Sequence, residues 1–233
     1  MISPVTYRLA LLDLDGTLTD SAPAITASVR AAYAAMGVPA PDAATLRTFV
    51  GPPIWDNFTT HGVPPELVET GIAAYRADYA ERATRDAVLY PGIVELLTAL
   101  RAAGLRTAVA TSKPEPTARR IAAHFGLDVL VDGVFGASFD QSRASKAAVV
   151  AHALDSLDAR DLAARGQVVM VGDREHDVLG SRAHGIGCIA VTWGYAPAGE
   201  LEAAAPLATV TSVEELRALL TAGHGDAGPV AAP

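Results

Sequence analysis

The chain's 233 residues include one cysteine, Cys188, and two lysines, Lys113 and Lys146. A single thiol excludes an internal disulfide and a cysteine-based zinc centre, and it fits a reducing compartment. There is no basic surplus: 18 Lys and Arg face 26 Asp and Glu, for a net charge of −8. That balance argues against a general nucleic-acid or anionic-membrane binder, though not against a local anion site. No run approaches the roughly 18 apolar residues of a membrane span. Met1 to Arg8 lack the basic start and long apolar core of a signal peptide. No internal repeat is visible. The expectations are a cytoplasmic protein with a small-molecule partner, no nucleic acid and no membrane. Monomer and homodimer stay equally open.

Half of the residues are hydrophobic, which supplies a sizeable core and argues against global disorder. The length fits one large domain or two modest ones. The lysine scarcity is informative. Sixteen arginines serve where any cation will do. A retained lysine therefore marks a place where a compact ammonium is needed, because Arg's planar fork is not equivalent.

The organising stretch is Leu9-Ala10-Leu11-Leu12-Asp13-Leu14-Asp15-Gly16-Thr17. An apolar run of strand length bounded by a turn reads as a buried parallel strand. Its carboxyl end is where an open α/β sheet places its site. Asp13 and Asp15 are two apart, so in extended geometry both carboxylates leave on one side. Repelling neighbours of this kind suit a hard divalent cation such as Mg²⁺.

After this strand, residues 18–87 read as helical with no convincing strand. Ser21 caps a helix that stops at Gly37, Asp42 caps a short one, and Val50-Gly51-Pro52-Pro53 makes a rigid turn. Two more helices follow, at 54–60 and 66–83. From Val88 strands and helices alternate, with strands at 106–111, 133–138, 167–171, 187–192 and 209–210. Alternation of this kind implies βαβ units and a parallel sheet. The expected fold is α/β, a doubly wound parallel sheet at 1–17 and 88–221. A helical cap at 18–87 is inserted after the first strand, and a Gly/Ala/Pro-rich disordered tail occupies 222–233. An insert at that point hangs over the site and has the placement of a lid.

Three further segments end at the same edge. Thr111-Ser112-Lys113-Pro114 places hydroxyls before a helix start. Ser112 is expected to cap that helix, whose amides and dipole would cradle an anion. Lys146 opens another helix, a position that the helix dipole disfavours, and local rules tend to be broken at sites. Gly172-Asp173-Arg174-Glu175-His176-Asp177 repeats the pattern of buried strand, glycine and acid. Asp13, Asp173 and Asp177 would give Mg²⁺ a few oxygen ligands and leave room for water and phosphate.

Taken together, Asp13-x-Asp15-Gly16-Thr17, Thr111, Lys146 and Gly172-Asp173-x-x-x-Asp177 resemble the four motifs of the haloacid dehalogenase superfamily, in order. Thr19-Asp20-Ser21, Val50-Gly51-Pro52-Pro53 and Thr111-Ser112-Lys113-Pro114 look like its phosphoglycolate phosphatase branch, which also contains 5′-nucleotidases. The resemblance implies a Mg²⁺-dependent phosphatase working through an aspartyl phosphate. Asp13 would be the nucleophile, and Asp15 the general acid and then the base. The metal would be held by Asp13, the backbone carbonyl of Asp15 and Asp173, with Asp177 orienting metal waters or Lys146. Gly16, Thr111, Ser112 and Lys146 would bind the phosphoryl group. Specificity would come from the cap turn with Gly51 and Pro52, with Arg47 reading a second anionic group. Asn57, His61, Tyr79 and Arg82 are weaker candidates. Cys188, Trp193 and Tyr195 read as packing residues. A sugar-phosphate mutase would share the site. A receiver-type signalling domain would share the acids but needs no 70-residue insert.

Overall fold

The computed structural model describes residues 6–52, 54–140 and 142–223. Strand β1 (Leu9–Leu12) is followed by β2 (Thr19–Asp20). A helical insert comes next: α1 (Ala22–Met36), α2 (Ala43–Arg47), α3 (Ile54–Thr60) and α4 (Pro65–Arg82). The chain returns through β3 (Val88–Leu89). It then runs α5 (Ile93–Ala102), β4 (Arg106–Pro114), α6 (Glu115–His124), β5 (Val134–Ala137), α7 (Lys146–Ser156) and α8 (Arg160–Ala164). It closes with β6 (Val168–Gly172), α9 (Glu175–Arg182), β7 (Gly187–Val191), α10 (Glu200–Ala204), β8 (Ala208–Val210) and α11 (Val213–Thr221).

Six strands form one parallel sheet in the order β5-β4-β1-β6-β7-β8. The apolar run at Leu9 to Leu12 is fully buried because it sits mid-sheet, between β4 and β6. Its side chains alternate between two cores, as the two-residue period of a strand requires. Ala10 and Leu12 join α5, α6 and α11 on one face. Leu9 and Leu11 join α7 and α9 on the other. This is the doubly wound α/β architecture, with the strand order reversing beside β1.

The buried side chains of the insert are continuous with the core on the Ala10 and Leu12 face. Tyr33, Phe49 and Phe58 meet edge to face, with ring centroids 5.8 to 6.3 Å apart. They tie α1 and α3 to the segment after α2. Several sequence expectations need correction. Residues 18–87 are not purely helical, because Thr19–Asp20 pairs antiparallel with Val88–Leu89. That two-stranded neck is too short to leave an alternating pattern. The helices α8 and α10 were not expected, and α9 begins at Glu175 rather than Asp177. Most of the expected disordered tail, residues 224–233, lies outside the described residues.

Phe58 is fully buried. Phe58→Ala is expected to lower stability by about 3–5 kcal/mol, the cost of an aromatic-sized cavity. Urea unfolding checks this; an unchanged midpoint would mean that the ring does not hold the insert.

Candidate active site

Asp13 is the first residue beyond β1. Its N–H donates to the Val171 carbonyl at 2.9 Å, so the sheet ladder carries it to the carboxyl edge. Asp173 stands in the same place beyond β6. Lys146 is the first residue of α7, where Ser145 caps the helix by accepting the Ala148 N–H at 3.2 Å. The Lys146 ammonium lies 2.8 Å from Asp13 Oδ1 and 2.7 Å from Asp177 Oδ1. It also donates to the Ala110 carbonyl at 3.1 Å. Three oxygens thus face the three protons of one buried ammonium.

Asp13, Asp173 and Asp177 each present a carboxylate oxygen within 4.8 Å of the other two, and all three are buried. Asp173 Oδ2 accepts the Tyr195 N–H at 2.7 Å, whereas its buried Oδ1 has no partner. Burial, aided by Asp177 and Asp15, pushes the Asp13 carboxyl up to about 6 against the pull of Lys146. Burial, then Asp177 and Asp13, hold Asp173 well above the carboxylate range. At Asp13, desolvation therefore outweighs the one ammonium. For Lys146 itself, burial opposes the charge, but Asp13 and Asp177 outweigh it and raise the ammonium's pKa.

Asp15 is held separately. Its Oδ1 accepts the Ser21 hydroxyl, and its Oδ2 lies 2.9 Å from Lys113 Nζ. Strand β1 ends at Leu12, and the chain turns at Gly16. Gly16 has φ +83°, and a Cβ there would stand 2.1 Å from Asp173 Oδ2, so only glycine fits. The three acids that come together are Asp13, Asp173 and Asp177, as their placement at the strand ends suggested, and Asp15 is not among them. Four carboxylates (Asp13, Asp15, Asp173 and Asp177) surround two ammonium groups, a deficit equal to the charge of one divalent cation. The orphaned Asp173 oxygen and this hard-oxygen donor set fit Mg²⁺.

Thr111 is buried in β4, and its hydroxyl accepts the Lys113 N–H at 3.3 Å. Ser112 does not cap a helix. The strand continues to Pro114 through a register shift against β5, and the helix starts only at Glu115. Glu115 itself turns back to the Gly136 N–H at 3.2 Å and to Arg143 at 3.1 Å. Ser112 instead lines the cleft between the insert and the sheet edge, together with Asp15, Lys113, Gly51 and Pro52.

The turn after α2 does face the core. The Arg174 guanidinium is held bidentately by Glu200, at 2.7 and 3.0 Å, and donates to the Val50 carbonyl at 2.6 Å. Gly51, at φ +109°, has no room for a Cβ, which would lie 2.7 Å from Arg174 Nη1. Arg47 is not brought in. It is exposed and lines a separate hollow with Asp20, Tyr90 and Tyr195. Asn57 is committed to the Phe49 and Pro52 carbonyls, His61 stacks on Phe49, and Arg82 pairs with Asp78 and Asp86. Of the weaker candidates Tyr79 does reach the cleft, where its hydroxyl accepts from Lys113 Nζ.

Three contributors escaped sequence reasoning. Tyr195 is not mere packing: besides binding Asp173, its hydroxyl donates to Asp20 at 2.7 Å and accepts the Ser21 N–H at 2.8 Å. Trp193 donates its indole N–H to the Thr17 carbonyl at 3.2 Å. Arg174 sits inside the fourth motif, but nothing in its spacing points to the insert. Lys113 was flagged only by the scarcity of lysine.

The sequence pattern of haloacid dehalogenase-like hydrolases matches residues 7–185. A Mycobacterium tuberculosis protein named tyrosine-protein kinase PtkA is 46% identical over 91% of this chain and 72% of its own. A Pseudomonas aeruginosa protein named 5′-nucleotidase is 38% identical over 92% of this chain and 96% of its own. Among solved structures, a chain described as a predicted phosphatase from Clostridium acetobutylicum superposes with a TM-score of 0.83. It is 35% identical and covers 91% of this chain and 96% of its own.

Lys146→Met is expected to destabilise the protein by about 3–5 kcal/mol at pH 7, because it leaves Asp13 and Asp177 buried without their cation. The loss should shrink towards pH 5, where Asp13 takes up a proton as pH falls through about 6. Denaturant unfolding at the two pH values checks both statements.

Proposed function

The chain belongs to the haloacid dehalogenase-like hydrolases, and we propose that it is a Mg²⁺-dependent phosphatase of small phosphate monoesters that works through an aspartyl phosphate on Asp13. The observation that carries this reading is the buried cluster of Asp13, Asp173 and Asp177, with Lys146 on Asp13 and Asp177 and with Asp15 held by its own lysine. Lys146 engages Asp13 Oδ1, which leaves Oδ2 to attack phosphorus. As the new O–P bond forms, the ester O–P bond breaks, and Asp15 gives its proton to the leaving alkoxide. Asp15 then takes a proton from the water that attacks the aspartyl phosphate, which releases phosphate and restores Asp13. Ser21 and Lys113 fix Asp15 for both transfers. Thr111, the backbone at Gly16 and Ser112, and Lys146 are the proposed holders of the phosphoryl oxygens. Asp13, the Asp15 carbonyl and Asp173 would hold Mg²⁺, with Asp177 orienting it. When bound, the cation offsets charge between an anionic nucleophile and an anionic ester.

The insert, residues 18–87, acts as the cap, with β2 and β3 as its neck. Tyr195 and Trp193 anchor that neck to the core. The mycobacterial relative's name denotes phosphoryl transfer to a protein tyrosine. Here an acid that can activate water, Asp15, stands two residues from the proposed phosphoacceptor, which favours hydrolysis. The motif resemblance leaves phosphoglycolate, nucleoside monophosphates and sugar phosphates as the substrate classes. No helix among the described residues is long and apolar enough to cross a membrane, and a soluble cytoplasmic enzyme is the matching proposal.

Asp13→Asn is expected to abolish phosphate release from an aryl phosphate while leaving the circular dichroism spectrum unchanged. Wild-type rates would identify another nucleophile. Excess chelator should stop turnover and Mg²⁺ should restore it. Mg²⁺ should also raise the unfolding temperature at pH 7, with the gain fading as pH falls through about 6, because protons compete for Asp13. A gain that is independent of pH would place the ion elsewhere.

A further inference from the structure

The cleft over Asp15 is larger and more aromatic than a two-carbon phosphate ester requires. Its volume is about 760 Å³, within the roughly 300–1,000 Å³ of sites that enclose whole drug-sized ligands. A two-carbon acid would leave most of that space to water, at about 30 Å³ per molecule.

Aromatic residues are only 6% of the chain, yet Phe49, Trp55, Tyr75, Tyr79 and Phe139 all line this cleft. Among the described large hydrophobic side chains, Trp55 and Phe139 are the exposed aromatics, at 37% and 47%. Leaving such rings in water is unfavourable, and apolar surface gathered in one place marks a binding site. The two rings come from opposite walls. Trp55 belongs to α3 of the insert, and Phe139 lies in the loop after β5. Arg76, on α4, bridges the walls with its guanidinium carbon 5.2 Å from the Phe139 ring centroid. Tyr75 and Tyr79 stack within 8° of parallel, and Lys113 Nζ lies 4.3 Å from the Tyr79 ring centroid, so Tyr75 is the ring of the pair left to meet a ligand. Arg76 and Arg120 bring N–H donors and no acceptors to the lining.

The geometry points to a phosphate monoester whose alcohol carries a flat ring with acceptor atoms, the chemistry of a nucleoside 5′-monophosphate, rather than a two-carbon phosphate acid. This rests on the phosphatase reading above. The phosphoryl end meets Asp13 and Asp15, and the ring lies among Trp55, Tyr75 and Phe139 with Arg76 at its edge. A ring held between the insert and the core also draws the two walls together, so the leaving group itself favours closure over the acids.

The test compares kcat/KM, with Mg²⁺ present, for nucleoside 5′-monophosphates, phenyl phosphate, ribose 5-phosphate and phosphoglycolate. Nucleotides should exceed ribose 5-phosphate, which lacks only the base, by at least about tenfold, the order that base–aromatic stacking supplies. Phosphoglycolate should fall below both. Trp55→Ala should collapse the nucleotide preference towards one, and Trp55→Phe should restore most of it. Phenyl phosphate matching the nucleotides would place the ring on an aryl alcohol, and phenyl phosphate trailing them would place it on a heterocycle. Ribose 5-phosphate or phosphoglycolate hydrolysed as well as the nucleotides would overturn the ring proposal and leave the phosphatase reading intact. If no ester is hydrolysed, the phosphatase reading falls, and calorimetry still decides the ring. A nucleoside monophosphate binding the protein no tighter than ribose 5-phosphate would overturn it.

Discussion

The constraint on which the rest of this structure depends is the gathering of three buried carboxylates and a half-buried fourth, Asp15, against two ammonium groups at one sheet edge. Unpaired buried charge is strongly unfavourable, and the fold meets the problem with position rather than solvent. Lys146 enters from the start of α7 and touches Asp13, Asp177 and a carbonyl at once. Burial first, and then the neighbouring carboxylates, raise the carboxyls of Asp13 and Asp173 towards protonation. A divalent cation relieves that excess, and a phosphate ester needs the same neutralisation before an anion can attack it.

The same charges reach into the helical insert. Lys113 bonds Asp15 in the core and Tyr79 on α4. Ser21, at the neck, bonds the other Asp15 oxygen. Arg174 follows directly on Asp173 and ends on the Val50 carbonyl of the insert. Tyr195 bonds both Asp173 and the neck. The position of the roof and the setting of the acids are therefore mechanically linked through named bonds. The cleft between them is closed by contacts to the residues that perform the proposed chemistry.

Legibility in the sequence followed physical locality. Strands β1 and β6 could be read because four or more consecutive apolar residues ran into glycine and acid. Lys146 could be read because it breaks a helix-dipole rule, and that conflict is balanced by two buried aspartates. Ser112 was misread because a register shift against β5 extends the strand by three residues, which no local pattern signals. The neck strand Thr19–Asp20 is two residues long and exists only because Val88–Leu89 returns beside it. Arg47 suited an anion by chemistry, but it lies on a face of α2 that looks away from the cleft.

By itself the sequence determined the alternation of strand and helix, the four acids, the retained lysines and the place of the insert. These follow from periodicity, turn chemistry and residue type within a few positions. Only the tertiary structure decided which lysine serves which acid. It also decided that Tyr195 and Arg174 tie the core to the insert, and that five aromatic rings line one cleft. Arg174 and Val50 lie 124 positions apart along the chain and Tyr195 and Ser21 lie 174 apart, and each pairing is set by where parallel strands end, a relation fixed by packing of the whole sheet rather than by any local pattern.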